Sequence, residues 1–137
     1  MSWSNRYVGI PQADHGRSEM GCDCWGLACL VYAQELSIEL PGYDGEYVSP
    51  DERAEIAGLI DAQEAVGPWS QVETPQAFDL LLFRRGRWRS HVGIFVARDL
   101  MLHIDGSDQA RVASLSAPRW AVRLCGIYRH AQAGDLS

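Results

Sequence analysis

The hydrophobic positions of the 137-residue chain change period partway along it, from helical spacing in the first half to short alternating runs in the second. Between Cys24 and Leu36 the apolar residues Leu27, Leu30, Val31 and Ala33/Gln34 recur at close to helical spacing, and Asp23 stands ahead of them as a side chain suited to capping a helix. This predicts a first helix over 24–36, ending near Ser37, followed by a loop at the turn-rich Glu39-Leu-Pro-Gly-Tyr-Asp-Gly45. Ser49-Pro-Asp-Glu52 combines a cap, a proline at the first helical position and a glutamate three residues after the cap. With Ile56, Leu59 and Ile60 behind it on one face, it predicts a second helix to about Ala65.

Beyond Gly67-Pro68 the pattern predicts strands at Asp79–Arg84, His91–Ala97, Leu100–Ile104 and Ala121–Arg129, separated by Gly, Arg/Asp and Ser/Pro stretches. In Arg89-Ser-His-Val-Gly-Ile-Phe-Val96 the two-residue period sends Val92, Ile94 and Val96 to one face and His91, Gly93 and Phe95 to the other. The aliphatic face is expected in the core, with His91 displayed on the opposite side beside a glycine that leaves space for a reacting partner. Arg98-Asp99 reads as the turn into Met101-Leu-His-Ile-Asp105, where His103 and Asp105 share a side. Helices first and hairpin-linked strands second make an α+β domain, N-terminal helices packed on an antiparallel β-sheet, in a single domain over 1–137.

Composition narrows the function. A hydrophobic content of 47% supports one sizeable core, and a net charge of -6 argues against nucleic acid as a partner, because phosphate binding relies on dense Lys and Arg. The basic run Arg84-Arg-Gly-Arg-Trp-Arg89 therefore reads as a solvated hairpin tip. The apolar runs are too short for a membrane span, and Met1–Ile10 has no secretion-signal pattern, so the expectation is synthesis in the cytoplasm. Three of the four cysteines, Cys22, Cys24 and Cys29, crowd together, which suits reduced thiols better than a disulfide framework.

Gly21-Cys-Asp-Cys-Trp-Gly-Leu27 carries the chemistry. Cys24 falls on the first turn of the predicted helix, where unpaired N–H groups and the positive end of the helix dipole favour a thiolate over a thiol whose ordinary pKa is about 8.5. The same N–H groups suit the oxyanion of an attacked carbonyl, a contribution of about 3–4 kcal/mol. Gly26, lacking a side chain, is expected to let substrate approach. His91 is the expected base and His103 the group that orients it, with Asp105 in reserve. Cys29 and Cys125 read as inert core residues, His15 and His130 as surface residues, and the tryptophans as core or cleft rim. A Cys22-x-Cys24 metal or redox module is the weaker alternative, since neither a second cysteine pair nor a histidine at ligand spacing accompanies it, and no metal site is assigned.

These blocks resemble the NlpC/P60 family of cell-wall endopeptidases. Its Asp-Cys-Ser-Gly-Leu/Phe signature is matched by Asp23-Cys24-Trp25-Gly26-Leu27, and tryptophan in place of serine is similar to the branch found in phage tails. Phe78-Asp-Leu-Leu-Leu-Phe83 and His91-Val-Gly-Ile-Phe95 are similar to two family strands, and His103 falls at the third position of the catalytic set. The likeness runs from about Tyr7 to Tyr128. It departs at Gly9-Ile-Pro-Gln12, where the family has Gly-Thr-Pro-Tyr, so Gln12 replaces a site-lining tyrosine. The resemblance implies a papain-like fold, Cys24, His91 and His103 as the catalytic residues, and Gln12, Asp23, Trp25, Gly26 and Asp105 as supporting or substrate-binding residues. It further implies peptide stems of peptidoglycan as substrate, no cofactor, phage tail proteins as partners and a place in the virion tail. The alternative it leaves is a structural tail-tip or assembly protein that keeps a weakly active or silent hydrolase fold.

Overall fold

Leu80-Leu-Leu-Phe83 has no polar face, and a segment of that kind is stable only with both faces covered. In the computed structural model, which describes residues 3–13, 17–18, 20–22, 24–39, 69–85, 88–104 and 109–130, all four of these side chains are buried. They lie in a central strand, and burying each aliphatic or aromatic side chain contributes about 1.5–3 kcal/mol. The second predicted helix, Asp23, Asp105 and His15 lie outside the described residues.

In chain order the elements are a short 3-10 turn (Trp3–Arg6), β1 (Arg17–Ser18), β2 (Gly21–Cys22), α1 (Cys24–Val31), a π-helical turn (Tyr32–Leu36) and β3 (Trp69–Val72). They continue as β4 (Leu80–Arg85), β5 (Trp88–Ala97), β6 (Leu100–His103), β7 (Arg111–Ser114), α2 (Pro118–Ala121) and β8 (Leu124–His130). α1 and the π-helical turn together cover the predicted first helix, and Ser37 ends it in the left-handed conformation, its N–H donating to the Tyr32 carbonyl. β1 and β2 pair with each other, and the remaining strands form an antiparallel sheet in the order β3-β8-β4-β5-β6-β7. Two of its members, β3 and β7, carry no readable alternation, and Ala121, expected in a strand, belongs to α2 instead.

The sheet has a core on each side. One is shared with α1: Trp25, Leu27, Ala28, Leu30 and Val31 meet Leu80, Leu82, Val92, Ile94, Val96 and Leu102. The other gathers Leu81, Phe83, Phe95, Met101 and Trp120, with Leu115, Ala117 and Leu124 at its margin. The sequence pattern anticipates helices on one side only; the chain segment carrying α2 covers the other.

At the head of β4 the buried Asp79 carboxylate accepts from Arg129 Nε at 3.0 Å and Nη2 at 2.9 Å, and from the Gln76 N–H at 2.8 Å. Such a two-pronged pair replaces the hydration a buried carboxylate loses. Phe78 just before it has a φ of 75° and stacks on Trp3 with ring centroids 4.5 Å apart, while Tyr32 donates its hydroxyl to the Phe78 carbonyl. The N-terminus, the end of the first helix and two strands thus meet at one point. Among the described residues, no helix is long and apolar enough to cross a membrane.

His130, expected at the surface, is buried at the end of β8 with its ring 6.0 Å from that of Tyr32. Burial lowers its pKa from the ordinary 6.5, so in that window the unfolded chain binds more protons than the folded one. The stability this contributes is complete above the unfolded value and is lost as the pH falls through the folded one. Urea denaturation between about pH 7.5 and about pH 5 is therefore expected to show stability dropping more steeply in the wild type than in His130→Phe. Parallel slopes would assign the acid sensitivity to other groups.

Candidate active site

The β5–β6 register decides which polar groups meet. Ile94 pairs with Leu102 and Phe95 with Met101, and continuing by one residue sets Gly93 across from His103. His91 is then a diagonal neighbour of His103 on the same face, a separation that long or aromatic side chains span. The rings do meet: His91 Nε2 lies 3.0 Å from His103 Nδ1, with centroids 5.2 Å apart and planes at 78°. Both histidines are only 2% exposed.

Gly93 makes this contact possible, though differently from the expectation. A Cβ at residue 93 would lie 3.0 Å from Met101 Sδ, 3.5 Å from Phe83 Cε2 and 3.6 Å from His103 Cβ. The space beside His91 is therefore filled from within the sheet, by the very residues that enclose the imidazole pair, and is not an open berth for a nucleophile. Phe83, paired with His91 across β4–β5, places its ring 5.8 Å away, and Trp120 of α2 stacks on the imidazole at 5.3 Å with planes 23° apart. For the two facing nitrogens to share one hydrogen bond, one must carry the proton and the other its lone pair. If His91 Nε2 donates, His91 Nδ1 keeps a lone pair for proton transfer and His103 is held neutral through Nδ1.

Cys24 is the first residue of α1, half-buried and in no disulfide, and packs against the core that contains Val92, the residue next to His91 in β5. The imidazole of His91 belongs to the layer with Phe83 and Trp120, and α1 covers the other face. Gln12, half-buried, bridges Cys22 in parallel fashion, and the Cys22 N–H donates to the Pro11 carbonyl at 3.0 Å, so this residue runs beside the strand leading into Cys24. That close passage needs Gly21, where a Cβ would come within 2.6 Å of Ala13 Cβ. Trp25 and Gly26 are both buried in α1. Cys22 is fully buried, whereas Cys29 and Cys125 are only partly so.

The structure therefore joins His91 to His103, sets Gln12 against Cys22, and leaves the reserve Asp105 and the cap Asp23 outside the described residues. Trp120 is the neighbour that sequence reasoning missed. A single tryptophan in Ala117-Pro-Arg-Trp120 has no periodic partner, and only the folded chain brings it to β5.

Comparison with known proteins adds a family. The sequence profile of the NlpC/P60 family matches residues 11–129. The murein DD-endopeptidase MepS/murein LD-carboxypeptidase of Escherichia coli K12 is 25% identical over 108 residues, covering 79% of this chain and 49% of that protein. A probable endopeptidase of Haemophilus influenzae is 26% identical over 119 residues, 85% of this chain and 64% of the relative. The chain spans about half the length of the first of these and under two thirds of the second. Among solved structures, the NlpC/p60 domain of the peptidoglycan hydrolase SagA superposes with a TM-score of 0.62 at 22% identity, covering 92% of each chain. An NlpC/P60 family protein from Bacillus cereus gives 0.68 at 20% identity, over 93% of this chain and 38% of the other.

The imidazole pair is open to direct observation. In His103→Ala the Nε2 of His91 loses its partner, and the expected result in ¹⁵N–¹H imidazole NMR is a changed tautomer ratio for His91. Identical His91 signals in variant and wild type would mean that the two rings are independent.

Proposed function

The chain belongs to the NlpC/P60 family, and from that premise we propose that it is a cysteine endopeptidase acting on the peptide stems of bacterial peptidoglycan. The observation that carries the reading is the buried His91–His103 hydrogen bond on a strand whose opposite face is covered by the helix that Cys24 begins. Relatives named as a murein endopeptidase and as a peptidoglycan hydrolase support the substrate class.

In the proposed reaction the Cys24 thiol reaches past the sheet to the face that carries His91, passes its proton to His91 Nδ1, and the sulfur attacks the peptide carbonyl. N–H groups of the first turn of α1 receive the oxyanion. The proton on His91 then leaves with the amine, and water opens the thioester to return the thiol. His103 holds the ring through Nε2 during both transfers, so its role is orientation and not attack. As proposed, the reaction uses no cofactor.

The finer assignment, to a phage tail, rests on Gly21-Cys-Asp-Cys-Trp-Gly-Leu27 and its likeness to the tail-associated branch. On this reading the protein reaches the wall with the virion tail and has tail proteins as partners. A silent hydrolase fold kept for tail assembly is the second reading, and the placing of His91 on the sheet face away from α1 favours it.

One set of measurements separates them. Cys24→Ala is expected to reduce cleavage of defined muropeptides by on the order of 10³-fold or more, followed by mass spectrometry of the products. His91→Ala should displace the pH dependence of iodoacetamide alkylation at Cys24; an unaltered profile would show that thiol and imidazole are uncoupled and would leave the assembly reading. For the tail assignment, the protein is expected among the structural proteins of purified virions, and its absence from intact tails would refute it.

A further inference from the structure

Resting on the catalytic reading above, we propose that Trp120 is a positioning residue for His91: its indole fixes the plane of the imidazole and closes the His91–His103 hydrogen bond off from water. The indole lies along the His91 ring at 5.3 Å and 23°, and meets His103 edge-on at 4.7 Å and 82°. It also packs edge-on against Phe83 at 5.4 Å, so both imidazoles and the phenyl group share one aromatic wall. Trp120 is 4% exposed, whereas Val122 two residues later is 82% exposed, so the segment directs this one large side chain inward.

A helix of four residues has no stability of its own. What holds α2 in place is its attachment to the hairpin that carries the histidines. Pro118 occupies its first turn, and the Trp120 and Ala121 N–H groups both donate to the Ala117 carbonyl at 2.9 Å. Upstream, the Leu115 N–H donates to the carbonyl of Asp99 in the β5–β6 turn at 2.6 Å. The Asp99 carboxylate also accepts from the Ser114 hydroxyl, and from the Ser116 hydroxyl at 2.6 Å. These hydroxyls, Ser114 first, hold the Asp99 carboxyl below its ordinary pKa, because they donate to its ionised form. The wall and the histidines are thus tied to the same turn.

An imidazole offers two hydrogen-bonding nitrogens, and a half-turn of its ring about the Cβ–Cγ bond puts carbon atoms where the nitrogens stood. Only one orientation gives Nε2 to His103 and leaves Nδ1 for the thiol proton. A stacked indole resists that rotation, because swinging the imidazole out of plane drives its edge into the aromatic face. Among the described residues, the charged or titratable groups facing the pair include Arg111 across from His103 in β7, Arg119, whose guanidinium lies 4.9 Å from the Trp120 ring centre, and, on the catalytic reading, the Cys24 thiol of α1. β4 contributes the apolar Phe83 at this point.

The test uses the full chain with Trp120→Phe, Trp120→Leu and Trp120→Ala, checked for folding by circular dichroism and thermal melting. Imidazole NMR gives the titration and tautomer of His91, and muropeptide cleavage gives kcat and KM. The leucine and alanine variants are expected to shift the apparent pKa of His91 by at least about half a unit and to lower kcat about tenfold, with KM within about twofold. Phenylalanine, which keeps an aromatic face, should restore most of both. If alanine and leucine lower the melting temperature but leave the titration and tautomer of His91 as in the wild type, Trp120 is packing alone and the proposal falls. If the shifts appear while the wild type cleaves no muropeptide, Trp120 still positions His91 and it is the catalytic reading that fails.

Discussion

Two imidazoles can share a hydrogen bond inside this sheet because the residue between them in the register has no side chain. Gly93 faces His103, and without a Cβ there the ring of His103 reaches diagonally to His91 under Met101 and Phe83. The contact depends on register in the strictest way. A slip of one residue would turn His91 into the aliphatic layer beneath α1 and bring Val92 into the aromatic layer. The two-residue Arg98–Asp99 turn, with Arg98 at a φ of 59°, resists such a slip by setting the pairing of Ala97 with Leu100. A register shift between Phe95 and Ala97 accommodates the turn without disturbing Ile94 and Leu102.

Burying polar groups is costly unless they satisfy one another, and the sheet does this twice. At one place a carboxylate and a guanidinium join in the Asp79–Arg129 pair, where opposite charges and three donated hydrogen bonds replace water. At the other, His91 and His103 join as rings that need carry no charge while they share one proton between them. The first arrangement is suited to holding strands together. The second suits a change of protonation, since a histidine gains or loses its proton near neutral pH. An aromatic surround of Phe83 and Trp120 fits the second role and would be wasted on the first.

Much of this was legible in advance where a local pattern had to agree with its own burial. The span 24–36 reads as a helix and folds as α1 plus the π-helical turn, and the strands around Leu80, His91 and Leu100 fall within a few residues of their expected limits. The pairing of His91 with His103 followed from alternation and a short turn, both local properties. Other features did not follow. β3 and β7 lie at the sheet edges, where one side of the strand is unpaired and burial imposes little alternation. His130 looks like a terminal surface residue until β3 and the first helix are seen to enclose the end of β8.

The amino-acid sequence by itself determined the α+β order, the cysteine at the head of a helix and the two histidines on a hairpin, because periods of 3.6 and 2 and the chemistry of caps and turns act over a few residues. The tertiary structure alone decided that both faces of the sheet are covered, that Gly93 accommodates its neighbours and not an incoming group, and that Trp120 stacks on His91. Those outcomes depend on which distant segments occupy a shared volume, and a contact between residues 91 and 120 leaves no periodic trace along the chain.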